Sequence, residues 1–340
     1  VRLLTAHLRE YSGKPDPLVF FALGNAWYMD GNLKKASEIY GKGYAKHPRS
    51  FLLCSNFAAV LYESGNYLKA GKRFEKAYKL GRPANSEHLW QAGTAYYKAK
   101  ALKKAKSVLR RIKRPRGEMR KKRLQLLTQI CLEMKDWKGA ESTVLKLLNE
   151  NSKDVEYWKM LSHIRLQRKD YQGAASALEI LFKIRPPDRK ELEELANLFF
   201  YLNFPLKGAR CLEKAYGRNP GPRQCDKISQ AFIQAQRPDK AIRYIDLAIR
   251  QKRSYKRLLE KGKLFYSRGR WDDAVSVLRE CVRDWPNKGF AHLLLGYCAM
   301  EKEDFTLARA SFLNASKGTK YRDKALAALR LLEDVGSAVQ

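Results

Sequence analysis

The chain is predicted to be all-α, a solenoid of about nine helix-turn-helix repeats with capping helices at its two ends. Three observations predict it. Small and apolar residues recur in one frame whose successive starts lie 33 to 35 residues apart. Within each frame the apolar residues fall at i, i+3 and i+7, which is one face of a helix. Breakers separate the apolar stretches: Asp30-Gly31-Asn32 and Ser64-Gly65-Asn66 inside repeats, and Pro48, Pro186, Pro220 and Pro286 at their ends.

The first unit opens at residue 17. Phe20, Leu23, Gly24, Trp27, Ala36, Tyr40 and Pro48 stand at its positions 4, 7, 8, 11, 20, 24 and 32. Small residues at 8 and 20 let the two helices of a hairpin (A, then B) approach closely, and large ones at 4, 7, 11 and 24 fill the space around that contact. Glycine in the turn tolerates positive φ and ends helix A, and proline at 32 stops helix B. In this spacing the chain resembles the tetratricopeptide-repeat (TPR) family over nearly its whole length.

The frame then repeats in order. Units open near Phe51 (with Phe57, Ala58, Leu61, Ala70 and Phe74), Ser86 (Gly93, Tyr96, Ala105, Leu109) and Lys121 (Leu124, Leu127, Ala140, Val144). They continue near Val155 (Trp158, Leu161, Ala174, Leu178), Arg189 (Leu192, Leu195, Ala196, Leu212) and Pro222 (Phe232, Ala241, Ile245). The last two open near Tyr255 (Gly262, Phe265, Ala274, Leu278) and Gly289 (Leu295, Gly296, Ala308, Phe312). Residues 1–16 read as an N-terminal helix, either a cap or a remnant of an earlier repeat. Residues 17–320 hold the nine repeats. Residues 321–340 read as a capping helix, in which Ala325, Leu326, Leu329 and Leu332 cover the last repeat, followed by a frayed tail from Val335. The resemblance implies a right-handed TPR superhelix.

Composition narrows the chemistry. Of 340 residues, 45% are hydrophobic and 30% charged, enough for a continuous core under a charged surface. No run of about 18 apolar residues marks a membrane span. A formal net charge of +33 attracts polyanions and acidic proteins. The first residue is Val1 and not Met, so the numbering is expected to begin inside a precursor, with or without a removed signal peptide, or at the edge of an excised segment. Cys54, Cys131, Cys225 and Cys281 sit at packing positions and read as small buried hydrophobes. Only Cys211 and Cys225, on consecutive helices, form a pair whose bridging is worth testing. The five histidines show no metal spacing, and no nucleophile or phosphate-loop motif is present. No enzyme activity, cofactor or metal is therefore expected.

Partner binding is expected instead. In TPR proteins helix A lines the concave groove, chiefly with positions 2, 5, 9, 12 and 13. Position 12 runs Tyr28, Tyr62, Tyr97, Leu132, Leu166, Phe200, Ile233, Tyr266 and Met300. Asn25, Gln129, His163, Asn197, Gln230 and Lys263 are the interspersed polar groups, and Trp90 and Tyr297 join the set. Aromatic anchors beside polar groups suit a protein or peptide ligand. A tyrosine at 12 also belongs to the family's packing between repeats, so both roles stand for it. An acidic chaperone tail fits poorly: Asn25 and Asn56 match the family's carboxylate clamp, whereas Phe21, Glu87 and Gln91 stand where its three cations belong.

Basic residues cluster between Lys103 and Arg123. The patch is Arg110, Arg111, Lys113, Arg114, Arg116, Arg120, Lys121, Lys122 and Arg123, and a second cluster spans Arg250 to Arg270. Nucleic acid, anionic lipid or lipopolysaccharide, an acidic protein and plain solvation all account for such a patch. No base-reading module accompanies it.

Residues 155–316 carry a narrower resemblance. Asp170-Tyr171, Ala174-Ala175, Pro186-Pro187, Leu195-Ala196-Asn197-Leu198-Phe199, Pro205, Trp271-Asp272-Asp273-Ala274 and Ala308-Arg309-Ala310-Ser311-Phe312 are similar to a bacterial TPR family encoded beside TonB–ExbB–ExbD energy-transduction components. That implies a scaffold in the periplasm serving envelope transport. The high positive charge and the cysteines do not belong to that pattern and keep a cytoplasmic setting as the alternative.

Overall fold

Aspartate, asparagine and proline set where the helices begin. Asn32, Asp136, Asp170 and Asp304 each accept, on the side chain, the backbone N–H three residues on, which satisfies a donor that the first helical turn leaves open. Pro17, Pro205, Pro222 and Pro238 sit in the first turn of their helices, where a missing N–H costs nothing.

The computed structural model describes residues 15–113 and 115–338, and the chain divides at Arg185/Pro186 into two compact units. In the first unit the described residues form α1 (Pro17–Met29), α2 (Leu33–Lys46), α3 (Phe51–Glu63), α4 (Tyr67–Leu80), α5 (Ser86–Lys98), α6 (Leu102–Arg110), α7 (Gly117–Glu133), α8 (Trp137–Glu150), α9 (Val155–Gln167) and α10 (Tyr171–Ile184). The second unit contains α11 (Arg189–Tyr201), α12 (Pro205–Tyr216), α13 (Pro222–Gln234), α14 (Pro238–Gln251), α15 (Tyr255–Tyr266), α16 (Trp271–Asp284), α17 (Gly289–Glu301) and α18 (Phe305–Ser316). A 3₁₀ turn (Thr319–Tyr321) then leads into α19 (Arg322–Ala338). Odd-numbered helices α1 to α17 are the A helices, and each packs against the B helix that follows it. Among the described residues there is no strand, and the fold is an all-α array of consecutive helical pairs.

The hairpin contact differs in detail from the expected glycine-to-alanine crossing. Ala36, Ala70, Ala105, Ala274 and Ala308 at position 20 are fully buried. The group that lies over each position-8 glycine, however, is the large residue at position 24. A Cβ on Gly24 would stand 2.8 Å from the Tyr40 ring, and one on Gly262 2.7 Å from Leu278. Leu109 covers Gly93 and Phe312 covers Gly296 in the same way. Glycine at 8 therefore makes room for a side chain of helix B.

The turns are more uniform than their sequences. Position 15 has positive φ in every hairpin: Gly31 (76°), Gly65 (77°) and Gly269 (67°), but also Lys100 (56°), Lys135 (54°), Lys169 (62°), Asn203 (60°), Gln236 (53°) and Glu303 (59°). The next residue then turns its N–H back to the carbonyl of position 11, as in Asn32 to Trp27 (2.9 Å), Asp136 to Cys131 (2.8 Å) and Asp304 to Ala299 (2.9 Å). This is the left-handed helix stop, and it is adopted whether or not a glycine is present.

Several boundaries move. Residues 1–14, where an N-terminal helix is expected, lie outside the described residues, and Asp16 caps α1 by accepting Leu18 N–H at 2.7 Å. Repeat four starts at Gly117 rather than Lys121, so α7 has an extra turn. The final helix starts at Arg322 and continues through Ala338, so residues 335–338 are helical instead of frayed. Ala325 and Ala328 of α19 are buried against Phe312 and Ala315, whereas Leu326 is exposed, contrary to its expected covering role. Cys211 and Cys225 form no disulfide. Burial pushes the thiols of Cys54 and Cys281 up to about 11 and that of Cys298 to about 12, as for packed, unreactive side chains.

Candidate partner-binding cleft

In the second unit three successive A helices, α11, α13 and α15, line a cleft of about 560 Å³. It brings together three of the expected groove residues, Asn197, Phe200 and Gln230. Helical spacing explains the convergence: Glu193, Asn197 and Phe200 are successive turns of one face of α11, and Asp226, Gln230 and Gln234 form the same face of α13. Phe200 is half-buried, and its ring packs where a Cβ on Gly208 would come within 2.5 Å, so the small residue at position 20 of α12 seats it.

The cleft is electrically mixed. Arg257 of α15 grips Asp226 of α13 through two hydrogen bonds of 2.8 Å, a bidentate clasp that fixes two of the walls. Arg189 donates to Glu193 at 2.8 Å and holds that carboxyl below the usual carboxylate range. Glu260 pairs with Lys263 at 3.4 Å. The exposed amides Asn197, Gln230 and Gln234 have no hydrogen-bond partner among the described residues. Lys256 also reaches the cleft without a partner there, and Lys227 has only the Tyr216 hydroxyl at 3.5 Å. Three amides, each with donors and an acceptor, beside one half-buried ring can grip an extended backbone and anchor one apolar side chain.

Sequence reasoning missed Glu193, Asp226, Lys227, Gln234, Lys256 and Glu260 as cleft residues. Positions 5 and 13 of the expected groove set already covered Glu193, Asp226 and Gln234, and position 2 covered Lys256. Position 6, which supplies Lys227 and Glu260, lay outside the expected set.

The other expected groove residues are placed differently. In the first unit the position-12 tyrosine of one repeat meets position 13 of the next. Tyr28 donates to Glu63 at 2.7 Å, Tyr97 donates to Glu133 at 2.5 Å, and the Tyr62 ring lies under the Lys98 ammonium at 4.6 Å. These hydrogen bonds raise the Tyr28 and Tyr97 pKa and lower that of Glu133. Gln129 also reaches Glu133, at 3.5 Å. Trp90 is half-buried against the core around Leu89 and Tyr96. His163 is exposed beside Trp137, ring centroids 6.4 Å apart. Asn25 is exposed on α1. In the second unit Tyr266 stacks edge-on with Trp271 and Tyr297 with Phe312, each at 5.3 Å, so both serve packing.

The basic patch is broken up by local partners. Arg111 pairs with Glu75, Arg120 with Glu150 at 2.5 Å and Lys122 with Glu118 at 3.9 Å. Arg123 is half-buried and donates to the Leu109 carbonyl at 2.8 Å. Arg110, Lys113, Arg116 and Lys121 are exposed, and Arg114 lies outside the described residues. The second cluster is largely neutralised: Arg253 pairs with Glu280 and Asp284, Arg257 with Asp226, Lys261 with Asp246 and Arg268 with Asp239.

Residues 259–321, which span most of α15 to α19's approach, match the tetratricopeptide repeat family. The repeat frame of the last two hairpins is thus the TPR frame, and its key positions recur in the hairpins before them. No curated protein sequence matches the chain. Among solved structures, yeast Tom70 is 13% identical, with 95% of this chain and 96% of that one aligned at a TM-score of 0.36. A tetratricopeptide repeat protein from Parabacteroides merdae is 17% identical over 73% of this chain and 98% of its own, at a TM-score of 0.38. YrrB, described as a TPR protein with an unusual peptide-binding site, is 17% identical over 60% and 99%, at 0.37.

Proposed function

We propose that this protein is a non-catalytic scaffold that holds an extended segment of a partner protein in the α11–α13–α15 cleft. The observation that carries this reading is the set of three unpartnered amides, Asn197, Gln230 and Gln234, around the half-buried Phe200 ring. Amides pair with a peptide backbone in either direction, and an aromatic at the centre of a contact is where binding energy concentrates. With Glu193, Asp226 and Glu260 facing Lys227, Lys256 and Arg257, the cleft favours a ligand of mixed charge over a polyanion. The resemblance of residues 155–316 supports a setting in a bacterial envelope, in the periplasm beside TonB-type transport components, with the cytoplasm as the competing compartment.

The test is a photo-crosslinking amino acid at Gln230 in living cells, with mass spectrometry of the captured protein and fractionation of the cells. One dominant adduct, lost when Phe200→Ala is added, is the expected result. An adduct pattern unchanged by Phe200→Ala, or identical to that from a crosslinker on the outer surface at Leu247, would sink the reading.

A further inference from the structure

The first unit departs from its own repeat at one place. Helix α6 stops after nine residues, at Arg110, where the other B helices run 12 to 14. Pro115 follows, and α7 starts early at Gly117. The missing turn leaves a cleft of about 410 Å³ between α6, α7 and α8. It is lined by one A helix, α7, and the two B helices on either side of it in the chain, and the partner-binding cleft belongs to the other unit.

Five cations line this cleft, Lys106 and Arg110 from α6, Arg120 and Arg123 from α7 and Lys146 from α8, and no carboxylate does. The nearby acids are already engaged: Asp136 by Lys106, Glu150 by Arg120, and Glu141 by Arg165 and Arg168. Three cations remain uncompensated. Arg110 and Lys146 have no ion-pair partner among the described residues. Arg123 uses its Nε on the Leu109 carbonyl, which leaves its terminal nitrogens. Burial, and behind it the charge of Arg110, pull the Arg123 pKa below the usual arginine value, which is the signature of a half-buried cation lacking an anion. The Ser142 hydroxyl adds a further donor, and Leu124 and Leu127 form an apolar floor.

We infer that the α6–α7–α8 cleft binds a phosphate monoester dianion. Three converging cations and a hydroxyl match a tetrahedral group with three terminal oxygens and close to two charges, whereas a carboxylate brings one charge and two oxygens. A phosphodiester backbone brings one charge per phosphate and needs a long open track of cations. Here the flanking cations Arg111, Arg120 and Lys122 are tied to carboxylates, while Lys113, Arg116 and Lys121 stay exposed outside the cleft, so competition by an oligonucleotide separates a spot from a track. A shallower depression runs on from the cleft over the outer face of α8 past Leu145 and Asn149, room for whatever carries the phosphate.

The experiment measures fluorescence anisotropy of the intact chain with a dye-labelled phosphoserine hexapeptide at constant ionic strength. Competitors are inorganic phosphate, the unphosphorylated peptide and a single-stranded 12-mer oligonucleotide. Arg110→Ala combined with Lys146→Ala removes two exposed, unpaired side chains, and circular dichroism checks that helix content is kept. Charge-assisted bonds of this kind predict about 30-fold weaker binding in the double variant. Asp136→Asn keeps the α8 cap, since asparagine caps as well as aspartate, while freeing Lys106, and predicts binding tightened about threefold. Inorganic phosphate competing as well as the peptide identifies a free phosphate as ligand; a tighter peptide identifies a phosphorylated partner. The inference is overturned if the unphosphorylated peptide binds equally, if the double variant binds unchanged, or if the oligonucleotide binds more tightly through the same two residues.

Discussion

The first three repeats of the first unit and the repeat that opens the second share one frame and differ in what position 12 does. In the first three repeats the position-12 residues are tyrosines, and their hydroxyls or rings are occupied by position 13 of the next repeat, as in Tyr28–Glu63, Tyr62–Lys98 and Tyr97–Glu133, whereas Leu132 and Leu166 hold the position in the fourth and fifth. In the second unit the corresponding pair is Phe200 and Gln234. Phenylalanine has no hydroxyl to offer, so Gln234 stays without a partner among the described residues and joins Asn197 and Gln230 in an open cleft. At Phe200 the missing hydroxyl thus leaves position 13 of the next repeat open, where Tyr28 and Tyr97 engage theirs.

The largest expected effect removes the ring on which that contrast rests. Phe200→Ala should weaken binding of the captured partner by roughly 30-fold, about 2 kcal/mol, as truncation of a central aromatic anchor does. Tyr28→Ala, at the same frame position in the first unit, should change it less than about twofold. Isothermal titration of both variants decides the point, and equal losses would erase the distinction between the units. A gentler perturbation is Phe200→Tyr. It gives the second unit the first unit's hydroxyl opposite Gln234, and a new hydrogen bond of ordinary strength should cost the ligand about fivefold in affinity. If affinity holds, Gln234 is not a ligand-facing group.

Much of this was legible in the residues themselves. The hairpin frame was, because packing imposes a period on small and large side chains: Gly24 has to accommodate the Tyr40 ring, and Gly296 the Phe312 ring. Position 12 was legible as a stripe, but not as two kinds of stripe. Whether a tyrosine reaches solvent or its neighbour depends on position 13 one repeat later, some 35 residues away, as Tyr28 and Glu63 show. The phosphate cleft was legible only as charge density. Counting cations from Lys103 to Arg123 does not reveal that α6 loses a turn, nor that Lys146 on α8 closes the site.

Stitching in the first unit is testable by itself. Tyr97→Phe removes the bond to Glu133 and should lower stability by less than about 1 kcal/mol, since the pair is open to solvent. It should also change the acid limb. The Glu133 carboxyl sits below its unfolded value because Tyr97, and then Lys100, donate to it. Its contribution is therefore fully present above the unfolded carboxylate pKa and is lost as pH falls through the lower folded value. Urea midpoints of the native chain and Tyr97→Phe should thus converge as pH drops below the ordinary glutamate range. A gap that persists at the acid end would mean that the Tyr97 hydroxyl contributes without the ionised Glu133 carboxylate.

The smallest effect concerns the turns, where the two units differ in what they place at positive φ. The first unit uses Lys100, Lys135 and Lys169, whereas the hairpin that opens the second uses Asn203. A lysine in the left-handed region carries a steric cost of roughly 1–2 kcal/mol. Asparagine visits that region more readily because its short polar side chain bonds locally. Glycine removes the steric cost but adds about 0.5–1 kcal/mol of unfolded-state entropy. The balance predicts that Lys135→Gly stabilises the protein by about 0.5 kcal/mol and that Asn203→Gly is neutral. Chemical denaturation resolves the two if each is compared with a change at an exposed helical lysine such as Lys138. A gain at Asn203 equal to that at Lys135 would show that the turn's hydrogen bond from position 16 to position 11, common to both, outweighs the side chain in setting the strain.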